Sequence, residues 1–299
     1  MEVSKLHALG NDFLVVQFDP EKLESGEYGA LAVTLCDRHY GLGADGLMAL
    51  ALTDPETPQA CKTRIFNADG SEAEMSGNGI RCAAAYLVHF FALQSAAVSF
   101  ETRAGLKTAR LLDRQEHVYW FETNMGRPIF APEKIPMLPA ENLDRVVCYP
   151  LSMGMTKLQV TCLSMGNPHC VVFMQHWGEF DQDFLGANLS NHPAFPNRTN
   201  VEFVHVLSRE EIRVGFWERG VGATLASGTG GCAAAVASIV NGFTHEQVQV
   251  KTSSGRLLVD WRERQEVFLT GPAEVLFRGE FLLPASGAFP SDSCNAGHQ

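Results

Sequence analysis

Apolar residues in this chain gather into short runs broken by glycine turns and into two longer alanine-rich blocks. The short runs predict strands. Glu2–His7 and Asp12–Gln17 flank a Gly10-Asn11 turn, and Thr63–Asn67 makes a further short strand. The blocks predict helices. Residues 79–94 are apolar almost throughout, and their alanine-rich start permits close packing inside a sheet. Residues 229–241 make the matching helix, with Gly242 as its stop. Strands rich in Val, Phe and Thr follow each helix, at Ala97–Thr102 and Gln247–Thr252. Pro128–Pro139 holds four of the fourteen prolines and marks a crossing between two halves of the chain. From Pro284 onward the residues are small and polar, as in a loose tail.

The two halves echo one another. Ser76-Gly77-Asn78-Gly79 with Cys82-Ala83-Ala84-Ala85 behind it returns as Ser227-Gly228-Thr229-Gly230 with Cys232-Ala233-Ala234-Ala235. Nine residues before each serine stands a polar anchor, Asn67 in one copy and Glu218 in the other. Gly10-Asn11 with Val15-Val16 returns as Gly166-Asn167 with Val171-Val172, and Thr102-x-x-Gly105 returns as Thr252-x-x-Gly255. Each echo alone is weak, because such pairs are common in turns. Their shared order at nearly one spacing predicts two copies of a single unit, packed about a pseudo-twofold axis. The cleft between the lobes is then a nearly symmetric ligand site, with one serine on each side.

Composition adds limits. The chain has 299 residues, enough for one large domain or two ordinary ones. A net charge of -11 argues against a broad nucleic-acid surface. The eight cysteines include no CxxC, which disfavours a zinc site. The start carries no basic segment followed by an apolar one, and no apolar run is long enough to span a membrane. A cytoplasmic protein with reduced thiols, no membrane partner and no nucleic-acid partner is the simplest expectation. A homodimer is the default oligomer.

A helix start leaves backbone N–H groups without partners and carries partial positive charge, and glycines there let a ligand reach the backbone. Two such starts, face to face, can hold a carboxylate and present a side chain to each face of its α-carbon. That geometry suits racemisation, in which one group removes a proton and the other returns one from the opposite side. Ser76 and Ser227 also fit plain helix capping. Asn11, Asn67, Asn78, Asn167 and Asn200 fit turns. Asp69 and Glu218 fit turn and strand-end charges, balanced by Arg81 and Arg219. His169, after Asn167-Pro168, fits an orienting role and a buried polar role equally. Cys82 and Cys232 read as small buried side chains.

The ordered segments Leu6-His7-Ala8-Leu9-Gly10-Asn11-Asp12-Phe13, Gly41-Leu42-Gly43-Ala44-Asp45-Gly46, Asn67-Ala68-Asp69-Gly70-Ser71, Ser76-Gly77-Asn78-Gly79-Ile80-Arg81-Cys82, Ser164-Met165-Gly166-Asn167-Pro168-His169-Cys170 and Glu218-Arg219-Gly220 resemble those of diaminopimelate epimerases. The resemblance runs from residue 2 to about residue 280. It implies an α+β fold of two pseudo-symmetric lobes, each a curved mixed β-sheet wrapped around a central helix. It places the lobes at 1–124 and 125–275, with 276–299 packing back on the first. It implies a cofactor-free, metal-free isomerase acting on a small amino acid. Ser76 and Ser227 then stand at the catalytic positions, with His169 supporting them. Asn11, Asn67, Asn167, Asn200, Glu218 and Arg219 would hold the distal end of the substrate. The Gly77-Asn78 and Gly228-Thr229 amides would grip the carboxylate.

The departures are specific. The family carries cysteine where this chain has Ser76 and Ser227, and many members carry glutamate at Ala223 and some glutamine at Gly46. A thiol at a helix start reaches the thiolate near neutral pH, whereas a hydroxyl needs an adjacent base. Three readings follow: a diaminopimelate epimerase slowed by its serines, a homologue that binds an amino acid without turnover, and another isomerase of the same fold with a carboxylate such as Asp69 or Glu218 as base. Histidine and other diamino acids also suit the polar anchors.

Overall fold

The computed structural model describes residues 1–53, 60–91, 93, 97–139, 143–154 and 156–282. The expected tail from Pro284 lies outside them, as does Cys294. Among the described residues, seventeen strands join in one mixed sheet, with five α-helices packed on and within it.

The pairing order repeats between the halves. Strand Glu2–Ala8 turns at Gly10 into Asn11–Gln17, which runs parallel to Gly46–Leu52. That strand pairs antiparallel with Ala60–Asn67, which runs parallel to Ala97–Thr102, itself paired with Gly105–Gln115. The second half repeats each step. Thr156–Ser164 turns into Pro168–Phe173, parallel to Asn200–Val206, then antiparallel to Glu211–Glu218. Glu211–Glu218 runs parallel to Gln247–Lys251, which pairs with Arg256–Arg262. The long strand Glu266–Glu280 joins the halves. It pairs with Arg256–Arg262 and with Val118–Gly126, and its end returns along Glu2–Ala8. The structure thus has the α+β architecture that the duplication predicts.

One helix lies inside each half. Gly77–Phe90 is almost wholly buried and centres a core with Leu6, Val15, Phe100, Tyr119 and Phe121. Gly228–Val240 centres a second core with Val214, Phe216, Val248, Val250 and Leu269. The alanines at 83–85 and 233–235 are fully buried. Their small side chains bring the sheet close to the helix axis, where larger ones would overpack.

The element ends differ from expectation. The first helix starts two residues earlier, because Ser76 is its cap, and stops at Phe90 instead of running to 94. Phe91 closes it with its N–H on the Leu87 carbonyl, while Phe90 and Phe91 both turn their rings onto Tyr86. The second helix starts one residue early and stops at Val240, with Gly242 past its end at φ +74°. Strand Gln247–Lys251 stops short of Thr252, whose hydroxyl donates to the Gly255 carbonyl at 3.0 Å and opens a turn instead.

Candidate active site

Both serines cap helices. Ser76 Oγ accepts the Gly79 N–H at 3.1 Å, and Ser227 Oγ accepts the Gly230 N–H at 3.3 Å. Both sit in extended backbone, as a cap requires. The first two amides of each helix keep the free, electropositive end that suits an anion. The two helix starts abut. A side-chain carbon added to Gly228 would lie 3.8 Å from the Gly77 Cα and 3.7 Å from the Asn78 Oδ1. A side-chain carbon at 228 would thus touch the other helix start at ordinary contact distance, and glycine there leaves the backbone open to a ligand.

The repeated asparagines brace the second residue of each helix. Asn78 Nδ2 donates to Asn11 Oδ1 at 3.0 Å, and Asn167 Nδ2 donates to Thr229 Oγ1 at 3.4 Å. The repeated threonine turns do a related task that the sequence left unexplained. Thr102 and Thr252 donate to the carbonyls of Gly105 and Gly255 and accept the N–H of Ala104 and Ser254. Ala104 N–H then donates to the Glu74 carbonyl, and the Ser253 hydroxyl to that of Leu225. Each turn therefore holds the residue two places before a serine.

In the first half, Asn11 Nδ2 donates to Asp45 at 2.8 Å. Asp45 and Asp12 share Arg38 at 2.9 Å each, and Lys5 meets Asp12 at 3.0 Å. Burial raises the Asp12 carboxyl, but Arg38 and Lys5 outweigh it and hold the group below its ordinary value. The sequence showed Gly43-Ala44-Asp45-Gly46 only as part of a segment resembling the family, and gave no sign of this network. Asn67 lies opposite Gly46 at its strand end, and its amide donates to Ser71 at 2.9 Å.

Arg81 is fully buried beneath the first helical turn. It donates to the Asn78 side chain, to the Gly77 carbonyl at 3.2 Å and to the Pro272 carbonyl at 3.4 Å. Burial lowers its pKa to about 10. Asp69, the expected partner of such a charge, instead accepts from Ser71 in an exposed turn.

In the second half, Glu218 accepts the Thr224 hydroxyl at 2.8 Å. Burial pushes the Glu218 carboxyl up and the Asp45 charge adds to this, while Thr224 and His169 oppose it. Asn200 Oδ1 accepts the Arg219 N–H at 3.0 Å, and the Arg219 guanidinium donates to the Asn197 carbonyl at 3.3 Å. His169 is wholly buried between Asn167 Oδ1, at 2.8 Å, and Glu202, at 2.7 Å. Ala223 faces solvent. Cys82 and Cys232 are buried, and burial pushes both thiols up to about 12.

The geometry therefore offers an anion two adjoining helix starts, flanked by asparagines, an arginine and a carboxyl held toward its neutral form. Among the described residues, no group of three or more His, Cys, Asp or Glu could hold a metal ion. Nor is any helix there long and apolar enough to cross a membrane.

Known proteins resemble this chain in sequence and in fold. The profile of the family described as diaminopimelate epimerase matches residues 3–131 and 161–276. The diaminopimelate epimerase of Pelotomaculum thermopropionicum is 44% identical over 281 residues, covering 94% of this chain and 99% of its own. That of Heliobacterium modesticaldum is 42% identical over 290 residues, covering 95% and 100%. Among solved structures, a predicted epimerase from Pseudomonas aeruginosa superposes with a TM-score of 0.67 at 17% identity, covering 95% of this chain and 99% of that one. A hydroxyproline epimerase from Agrobacterium vitis, bound to trans-4-hydroxy-L-proline, gives 0.65 at 15% identity, covering 93% and 91%. These distant structures share the fold; the sequence relatives and the family profile go further, and the chain belongs to the diaminopimelate epimerase family.

Proposed function

We propose that this chain interconverts LL- and meso-diaminopimelate by cofactor-free proton transfer, with Ser76 and Ser227 on opposite faces of the α-carbon. The observation that carries the reading is the abutment of two serine-capped, glycine-rich helix starts at Gly77 and Gly228. The lobes 1–124 and 125–275 each supply one half-site. The amides at Gly77-Asn78 and Gly228-Thr229 take the reacting carboxylate. Asn11, Asn67, Asn167, Asn200, Glu218 and Arg219 take the far amino-acid end, with His169 behind them. The partner is a small amino acid in the cytosol, met by a protein that pairs as a homodimer.

The serines slow the reaction. Each hydroxyl accepts one backbone N–H, and among the described residues neither has a side-chain partner to serve as base. Incubation with LL-diaminopimelate and chiral chromatography should show slow formation of the meso form. Ser76→Cys with Ser227→Cys should raise it by orders of magnitude. A double variant that binds the substrate and still forms no meso product would overturn the reading. The same hydroxyl geometry favours, as a second reading, a homologue that binds the amino acid without turnover. It predicts thermal stabilisation by diaminopimelate with no meso product from the native chain.

A further inference from the structure

His169 and Glu202 form a buried polar pair where the first half of the chain has an apolar one. His169 follows Asn167 by two places, as Phe13 follows Asn11. Glu202 abuts the Ser227 helix as Met48 abuts the Ser76 helix. A side-chain carbon on Gly230 would lie 2.8 Å from Glu202 Oε1, and one on Gly79 would lie 2.8 Å from Met48 Sδ. Phe13 and Met48 are buried in the first core, and the fold closes around them. The architecture is thus satisfied by a hydrophobic pair at these positions, and the second half has replaced it with two titratable groups.

Their hydrogen bonds run in one direction. His169 Nε2 faces Asn167 Oδ1 at 2.8 Å, and the same asparagine donates its amide to Thr229 Oγ1 at 3.4 Å. An amide oxygen only accepts, so Nε2 carries a hydrogen. His169 Nδ1 faces Glu202 Oε1 at 2.7 Å, while Glu202 Oε2 is buried with no hydrogen-bond partner among the described residues. An ionised Glu202 would leave that oxygen charged and unmet, at high cost. The groups acting on Glu202 are His169 on one neighbouring strand and Glu218 on the other; Cys170 feels its charge, and Gly230 of the helix lies against it. Burial pushes the Glu202 carboxyl up and Glu218 adds to this, against the opposing pull of His169.

We infer that Glu202 is a positioning residue that holds a proton at neutral pH and donates it to His169 Nδ1. His169 is then a neutral Nε2–H donor to Asn167, and Asn167 a donor to Thr229. Because Thr229 Oγ accepts that bond, its own O–H is free to point into the cleft at the helix start, toward an anion. A buried acid thereby orients one hydroxyl donor for the ligand carboxylate. The inference rests on the epimerase reading only for the identity of that ligand.

Nitrogen-15 NMR of the full chain with labelled histidine tests the proton assignment. The His169 signals are identified by their loss in the His169→Phe, Glu202→Met double variant, which copies the pair found in the first half of the chain. His169 should appear as the neutral Nε2–H tautomer throughout the neutral pH range. Glu202→Gln, the isostere of a protonated acid, should keep that tautomer. It should also remove part of the fall in thermal midpoint that the native chain shows as pH rises above the ordinary carboxylate range. An imidazolium or an Nδ1–H tautomer overturns the inference. Thr229→Val should weaken thermal stabilisation by diaminopimelate about tenfold or more in apparent affinity, the scale of a lost hydrogen bond to a charged group. Unchanged affinity in this variant overturns the role of the hydroxyl. If diaminopimelate binds neither protein while His169 shows the Nε2–H form, the proton assignment is supported and the substrate reading fails.

Discussion

Gly230 and Gly231 are neighbours in one buried helix, yet alanine at each should act with opposite sign. A methyl on Gly230 would lie 2.8 Å from Glu202 Oε1 and 2.9 Å from the Phe216 ring. Both neighbours are almost wholly buried, and Glu202 is tied to His169, so neither yields easily. Overpacking of this kind costs about 1–3 kcal/mol. Alanine recovers about 0.5–1 kcal/mol over glycine in a helix. Gly230→Ala should therefore destabilise by up to about 2.5 kcal/mol, a fall in thermal midpoint of up to roughly 4 °C for a chain of this size. A methyl on Gly231 meets only Leu257 at 3.4 Å and Val250 at 3.7 Å, which is ordinary contact. Gly231→Ala should keep the helix gain and raise the midpoint by about 1–2 °C. Gly79→Ala should fall between them, because the atom it meets first belongs to the flexible Met48 side chain. Thermal unfolding followed by circular dichroism at one pH reads all three. A rise for Gly230→Ala equal to that for Gly231→Ala would refute the packing of Glu202 against this helix.

Other outcomes follow from the same contacts. Arg81→Met strips the donor from the Gly77 and Pro272 carbonyls and from Asn78, and should cost about 2–5 kcal/mol in denaturant unfolding. A variant as stable as the native chain would contradict that bonding. Asp12 titrates below its ordinary value, so its contribution is present above the unfolded pKa and is lost as pH falls through the folded one. Asp12→Asn should flatten the acid limb of the stability curve, and an unchanged limb would count against the network with Lys5 and Arg38. Of the described cysteines only Cys148 is exposed. A maleimide should modify Cys148 in the native chain without changing stabilisation by diaminopimelate, and should abolish it in the Ser76→Cys, Ser227→Cys variant.

The features legible in the sequence are those whose cause is local. Serine before two glycines caps a helix, Gly10 permits a turn at φ +84°, and alanine blocks need burial. The repeat then set the two halves in one topology. What stayed hidden depends on register between distant strands. Glu202 sits in the apolar run Asn200-Val201-Glu202-Phe203-Val204 and meets His169 only because the parallel strands align His169 with Asn200. Asp45 reaches Asn11 and Asp12 across a parallel pair in the same way. The threonine turns were visible as an echo, but their support of Glu74 and Leu225 needs the folded chain. The first helix ran too long on paper because the apolar pattern continues past Phe90, where the Phe90 and Phe91 rings pack on Tyr86.

The most direct test of two opposed half-sites is where deuterium enters. LL-diaminopimelate is incubated in heavy water with the Ser76→Cys, Ser227→Cys variant, and the early reaction is followed by NMR and mass spectrometry. Groups on opposite faces predict label at the α-carbon of the meso product while the remaining LL substrate stays largely unlabelled. Equal labelling of recovered substrate and product would mean that one face does both transfers, and would contradict the account.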